Sequence, residues 1–370
     1  MDHETLDFWV ERAAWQNHRF LQGSGPPPLG DDEVLFRVDR FALTANNISY
    51  AASGDVLGYW RFFPADPGWG RIPTMGFGDV IASRHPDVPI GTRCFGFYPM
   101  SRYLKIEPGT VSASRIVDGA AHREGLAPAY NEYLPTTADP LYASAFEDST
   151  LLLRGLFLTS FLAEDFLADQ DFFGASNVLV SSASSKTSIA LAFALARRQQ
   201  VRVIGLTSAR HQAFVENTGL YDEVVTYDEL SQLSPDTGTV FVDMAGNAQV
   251  IQEVHQRFQD ALKYTCRIGA THWEAAGDPG PLQGPKPEFF FAPRQIQKRT
   301  ADWGPGGFRD RIGEGWSSFR ETSSSWLTVR RGAGRDALSS VYDETLRGGA
   351  DPAQGHVISL WDTPGDATAS

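Results

Sequence analysis

Hydrophobic and polar positions change their rhythm near residue 146. Before it, Glu33–Phe41 (EVLFRVDRF) alternates apolar and polar side chains with period 2, the pattern of a half-buried strand. Glycine and proline then recur at Gly68–Gly70, Pro73, Gly76, Gly78 and Pro86–Gly91. Short strands joined by tight turns at that density predict a small barrel-like β domain. The segment Gly23–Asp32 (GSGPPPLGDD) reads as an exposed loop leading into it.

Beyond residue 146 the period lengthens. Glu147–Leu167 predicts a helix, and a βαβ series follows. Its strands are Val178–Ser181, Val201–Leu206, Glu223–Thr226 and Thr239–Val242, with helices over Ser188–Arg198 and His211–Gly219 between them. Such alternation implies a parallel, doubly wound sheet. After about residue 285 the pattern is irregular again. Gly304–Gly315 reads as a functional or flexible loop, and His356–Trp361 (HVISLW) as a last strand before a disordered tail.

Bulk numbers narrow the function classes. The 370 residues favour two domains over one. A formal charge of −13 argues against a nucleic-acid partner, which needs clustered Lys and Arg. The two cysteines, Cys94 and Cys266, suggest neither a disulfide framework nor a zinc cluster, so a reducing, cytoplasmic setting is expected. The opening MDHETLDFWVERAAW carries early acids and does not read as a signal peptide. Arg154, Glu164 and Asp165 break the longest apolar run, so no membrane span is predicted. No repeat of roughly 20–50 residues is visible.

The chemistry gathers at the first βα turn, Ser181–Ser188 (SSASSKTS), which contains no glycine. A Walker loop needs glycines so that backbone amides wrap phosphate, and only Lys186 and Thr187 match its final pair. A dinucleotide-binding turn asks less: a helix N-terminus facing a pyrophosphate and small residues that let the backbone approach. Ser182, Ser184 and Ser185 are small, and their hydroxyls can donate to phosphate or cap the helix. An ordinary Ser-rich strand–helix connection stays open on this turn alone. The second strand adds weight. NAD binding would want an acid at its end, whereas Thr207, Ser208 and Arg210 form a polar and basic cluster suited to the 2′-phosphate of NADPH. A solvated Arg210 at a helix start is the alternative there.

With these segments in place, the chain resembles the medium-chain dehydrogenase/reductase superfamily, in particular its zinc-free quinone and enoyl reductase branch. VLVSSASSKTS is similar to that family's VLVSAASGGVG, GLTSAR to its basic NADPH-reading turn, TGLYDEVVTY to LGADEVINY, and Val242–Gly246 to VDMAG. EVLFRVDRFALTANNISY, GRIPTMGFGDVIAS, PIGTRCFGF and RGGADPAQGHVISL are similar to its flanking β segments. The resemblance implies an α/β fold: a GroES-like β-barrel domain (1–146), a Rossmann-type doubly wound parallel sheet binding NADPH (147–284), and a return to the first domain (285–370). It adds Tyr227, Ala245 and Gly246 to the cofactor residues and implies a homodimer. The chain departs from the family at Ser185 and Ser188, where glycines are expected, and so looks like a divergent branch. Ala45-Asn46-Asn47 stands where zinc-dependent members carry a Cys ligand, and the four-cysteine zinc lobe is missing, so no metal is expected.

Without zinc, hydride transfer needs hydroxyl, amide or imidazole donors to polarise an acceptor. Asn47 and Tyr50 resemble polar residues that zinc-free relatives place over the nicotinamide, Tyr50 as donor and Asn47 as its orienter. A turn-stabilising Asn47 and a packed Tyr50 are the alternatives. His272, in GATHW, is a second candidate donor, and Phe289–Phe291 with Trp303 suggest an aromatic wall for an apolar or aromatic small-molecule substrate. No G-x-S-x-G or H-E-x-x-H motif supports hydrolysis. The expectation is an NADPH-dependent reductase of an activated C=C or C=O bond. The competing one is a family-like fold with a non-redox role, as an NADPH sensor or a lyase.

Overall fold

The structure is a computed structural model that describes residues 4–244, 246–268 and 280–361. Its contacts divide it into two compact units: residues up to Leu152 together with those from Thr328, and Leu153–Leu327.

The first unit opens with a hairpin, β1 (Thr5–Glu11) and β2 (Ala14–Gly23), that the sequence pattern does not announce. The strand β3 (Val34–Leu43) leads into a short helix, α1 (Ala45–Ala52). The strand β4 (Trp69–Gly70) joins β1, and the strands β5 (Pro73–Ser83), β6 (Arg93–Pro99), β7 (Tyr103–Ile106), β8 (Pro108–Ser112), β9 (Arg115–Asp118) and β10 (Glu132–Pro135) follow.

Expected to be half-buried, β3 is covered on both faces. It pairs with β5 and β7, and even its polar Asp39 is buried, against Arg93 and Arg40. Burial alone would favour the neutral acid, but the two guanidiniums outweigh it and hold the Asp39 carboxyl below the ordinary aspartate range. Gly76 and Gly78, expected in turns, lie within β5. A Cβ on either would stand 2.9 Å from the Tyr98 ring, so these glycines let a buried tyrosine lie flat on the sheet.

The helix α2 (Glu147–Asp169) leads into the second unit. There β11 (Asn177–Val180), α3 (Lys186–Arg198), β12 (Arg202–Thr207), α4 (Gln212–Asn217), β13 (Glu223–Thr226), β14 (Thr239–Asp243), α5 (Ala248–Phe258) and β15 (Leu262–Arg267) alternate, close to the predicted series. A further strand, β16 (Glu288–Phe289), completes a six-stranded parallel sheet in the order β13-β12-β11-β14-β15-β16. The order runs backward from β11 to β13 and forward from β14 to β16. A switch point therefore lies between β11 and β14, where doubly wound sheets open a crevice beyond the strand ends.

Three expectations about the C-terminal third differ from the structure. Gly304–Gly315 is not a loop but lies inside a long helix, α6 (Ala292–Ser323), broken only at Gly304, whose φ of 70° and ψ of 161° suit glycine alone. The glycine-rich text misled because apolar anchors further along fix the helix: Trp316 and Phe319 are buried, and Phe319 stacks on Phe157 at 5.3 Å. The return to the first unit comes at residue 328 rather than near 285, because β16 extends the parallel sheet and Ile296 and Phe308 of α6 pack on the core beneath it. The expected aromatic wall is also split: Phe290 is buried, while Phe289 and Phe291 are exposed.

The chain closes with β17 (Thr328–Ala333), α7 (Gly334–Leu346) and β18 (Gln354–Ser359). The two strands are parallel, and β18 pairs with β3, giving the sheet path β17-β18-β3-β5-β6-β10-β9-β8 with β7 also on β3. No helix among the described residues is long and apolar enough to cross a membrane.

Candidate functional site

The Ser-rich turn leaves β11 at the carboxyl edge of the parallel sheet. Ser181 is buried, and its amide donates 3.0 Å to the Val242 carbonyl, so the turn is fixed to β14 across the switch point. Its hydroxyl donates to Asp243 Oδ1 at 3.0 Å and accepts from the Met244 amide at 2.9 Å. Ser182 adopts φ of 49°, the left-handed conformation that a glycine would enter without cost. Serine thus keeps the glycine-type turn, and the Ser182 amide donates to the Tyr227 hydroxyl at 3.0 Å.

Ser185 is the N-cap of α3. Its oxygen accepts from the Ser188 amide at 3.1 Å and sits 2.8 Å from the Ser188 hydroxyl, which donates on to the Ser181 carbonyl. Ser185 and Ser188, where the resemblance leads one to expect glycines, are therefore bonded to each other. Ser184 meets His211 Nδ1 at 3.1 Å. Lys186 and Thr187 are half-buried in the first turn of α3, and the Thr187 carbonyl accepts from Ser160.

At the end of β12, Thr207 is only 1% exposed and faces Thr226 in register, so it belongs to the sheet more than to its edge. Ser208 is half-buried, and Arg210 projects exposed from the turn Ala209–His211 with no ion-pair partner among the described residues. Tyr227 begins the turn after β13. Gly246, with φ of 69°, donates its amide to both Asp243 oxygens at 3.1 and 3.0 Å. Thus Ser182, Ser184, Ser185, Lys186, Thr187, Ser208, Arg210, Tyr227 and Gly246 gather at one edge. Ala245 and His272 lie outside the described residues.

Four residues here escaped sequence reasoning as members of the site. Asp243, fully buried, ties the two switch-point turns together. Tyr221 donates its phenol to the Ala183 carbonyl at 2.9 Å, and His211 holds Ser184. Arg267 ends β15 with its Nε 3.6 Å from Asp243 Oδ2. A signal for the last was present: an arginine between Cys266 and Ile268 in an otherwise apolar strand end.

In the first unit, Asn47 is buried on α1. Its Oδ1 accepts from the Thr44 amide at 2.7 Å and the Thr44 hydroxyl at 3.2 Å, and its Nδ2 donates to the Pro73 carbonyl at 2.7 Å. The amide clamps the start of α1 to β5. Three residues on, Tyr50 stacks on Tyr59 at 4.5 Å and meets Phe97 and Tyr130 edge-on, while Tyr130 stacks on Phe97 at 4.3 Å. Burial, with the Tyr130 and Tyr59 phenols beside it, raises the Tyr50 pKa well above its ordinary value. Tyr50 therefore stays protonated at neutral pH. Both thiols are buried; burial pushes Cys94 up to about 12 and Cys266 higher still, which removes them as nucleophiles.

The profile of a family described as "Protein of unknown function (DUF2855)" matches residues 41–351, and the chain belongs to that family. No functionally curated protein matches the sequence. Solved structures share its fold over nearly the whole chain. CurA in complex with NADPH, from Vibrio vulnificus, is 13% identical with a TM-score of 0.60, over 97% of this chain and 100% of that one. The quinone oxidoreductase from Coxiella burnetii is 14% identical with a TM-score of 0.52, over 97% and 100%. CurK enoyl reductase is 13% identical with a TM-score of 0.52, over 96% and 99%. The fold is that of the medium-chain dehydrogenase/reductases: a GroES-like β unit interrupted by a Rossmann-type parallel sheet.

Proposed function

We propose that this DUF2855 member is an NADPH-dependent, zinc-free oxidoreductase that reduces an activated C=C or C=O bond of a small apolar or aromatic substrate. The observation that carries the reading is the switch point itself. The turn after β11 and the turn after β14 are locked together through Ser181 and Asp243 at the edge where doubly wound sheets take a dinucleotide. The residues present fit that group. Ser182 keeps the left-handed turn, α3 begins at the crevice, and the exposed Arg210, without an ion-pair partner among the described residues, stands just past the end of β12 where a 2′-phosphate would be read.

NADPH, when bound, supplies hydride to the acceptor carbon. Ser184, Lys186 and Thr187 bind its phosphates, Ser208 and Arg210 its adenosine 2′-phosphate, and Tyr227 keeps the turn in shape. Asn47 positions α1 by clamping it to β5, and Tyr50, kept protonated, donates to the acceptor oxygen, with His272 or water as the other proton source.

Oxidation of NADPH at its near-ultraviolet absorbance, against a panel of enones and quinones, tests this reading. Turnover is expected with at least one compound, and Tyr50→Phe is expected to lower kcat by about 10²-fold with NADPH binding unchanged. Turnover that Tyr50→Phe leaves intact would reduce Tyr50 to packing. Binding without any turnover would favour the sensor role.

A further inference from the structure

A formal positive charge sits at the carboxyl edge of the parallel sheet with little to occupy it. Arg267 is the last residue of β15, in register with Asp243 on β14. Its side chain is 12% exposed, and its Nε and Nη2 are buried with no hydrogen-bond partner among the described residues. The nearest carboxylate oxygen, Asp243 Oδ2, is 3.6 Å from Nε, a charge contact outside hydrogen-bond range. That carboxylate is already engaged by the Ser181 hydroxyl and the Gly246 amide. Burying guanidinium donors without partners is costly, and at a β-strand end an apolar residue would avoid the cost. Two idle donors of one planar fork match the spacing of phosphate oxygens.

The position tells which phosphate. The strands β14, β15 and β16 form the half of the sheet beyond the reversal, and a dinucleotide lying across the switch point sets its second mononucleotide against that half. On the other side, the turn after β11 has already engaged donors of its own: the Ser182 amide on the Tyr227 hydroxyl, and the Ser188 amide on the Ser185 oxygen. A glycine turn would leave more backbone amides for the pyrophosphate. We propose that Arg267 holds a phosphate oxygen of the second, nicotinamide-bearing mononucleotide through its fork, so that a formal charge on β15 replaces dipoles lost from the serine turn. The proposal rests on the dinucleotide reading above.

Two ligands separate the cases. NADPH carries both mononucleotides, whereas adenosine 2′,5′-bisphosphate carries only the first. Both are titrated by fluorescence and calorimetry into wild type, Arg267→Gln and Arg267→Lys. Arg267→Gln is expected to weaken NADPH roughly tenfold to a hundredfold and to leave adenosine 2′,5′-bisphosphate within about twofold. Arg267→Lys keeps the charge beside Asp243 but not the fork, and should lose several-fold for NADPH alone. Unchanged NADPH affinity in Arg267→Gln overturns the proposal and leaves the dinucleotide reading standing, with Arg267 serving Asp243 only. Equal loss for both ligands also overturns it, because the charge would then shape the turn. If Arg267→Gln does not fold, wild-type NADPH affinity in Arg267→Lys overturns it instead. A wild type that binds neither ligand overturns the dinucleotide reading and this proposal together.

Discussion

Asn47 shows how one buried amide holds a local structure. It accepts two hydrogen bonds from Thr44 and gives one to Pro73, so Asn47→Ala strands the Thr44 amide and the Pro73 carbonyl in the interior. The expected cost is about 1–3 kcal/mol, read as a lower urea midpoint with an unchanged m-value. At this scale the sequence was partly legible. TANNISY reads as a polar loop after the strand over Glu33–Phe41 rather than as the helix α1, and from the sequence Asn47 can be either an orienter or a turn stabiliser. What text alone withheld was the partner, Pro73, 26 positions away in sequence, because spacing carries no information about which carbonyl an amide meets. The same holds for Arg267, whose meaning depends on Asp243 lying beside it on the neighbouring strand.

Among elements, the parallel sheet was the most readable part. Its strands are short apolar runs bounded by turn residues, and burial on both faces leaves little choice of period. The helix α6 was the least readable, because Gly304, Gly306 and Gly307 outweigh its helix formers over a short window while its anchors, Trp316 and Phe319, lie further along. The two nearest glycines should answer oppositely to the same change. Gly304 holds a conformation that L-residues rarely enter, so Gly304→Ala should cost about 1–3 kcal/mol. Gly306 has open space where a Cβ would go, and Gly306→Ala should stabilise by up to about 1 kcal/mol. Urea unfolding of the pair checks both, and equal effects would contradict the kink. The hairpin β1–β2 was missed for another reason: its second strand is mostly half-exposed and mixed in polarity, so pairing rather than patterning makes it a strand.

For the whole molecule, net charge and buried ion pairs set the response to acid. In the first unit Arg93 meets Asp39, Asp79 and Glu147, and Arg40 meets Asp148. Because the folded pKa of Asp39 lies below its unfolded value of about 3.9, the unfolded chain takes up the proton first. The stability from this pair is complete above about pH 5 and is lost as pH falls through that unfolded value and below. In the second unit burial lowers the pKa of His255, against the opposing effect of the Gln283 carbonyl, so stability there begins to fall below about pH 6.5. Urea midpoints from pH 7 to pH 3 should show both losses, and Asp39→Asn should flatten the more acidic one while lowering the plateau.

On the proposed function, the crevice at the β11–β14 switch point takes NADPH through the serine turn and Arg210. The most direct measurement is a titration of the purified protein with NADPH and with NADH, following energy transfer from its nine tryptophans to the reduced nicotinamide. Saturable NADPH binding at least about tenfold tighter than NADH is expected, with the preference abolished by Arg210→Ala, as loss of one charged contact to the 2′-phosphate requires. Saturation by neither nucleotide would contradict it, and would mean that Ser185 and Ser188, bonded to each other at the start of α3, have closed the site.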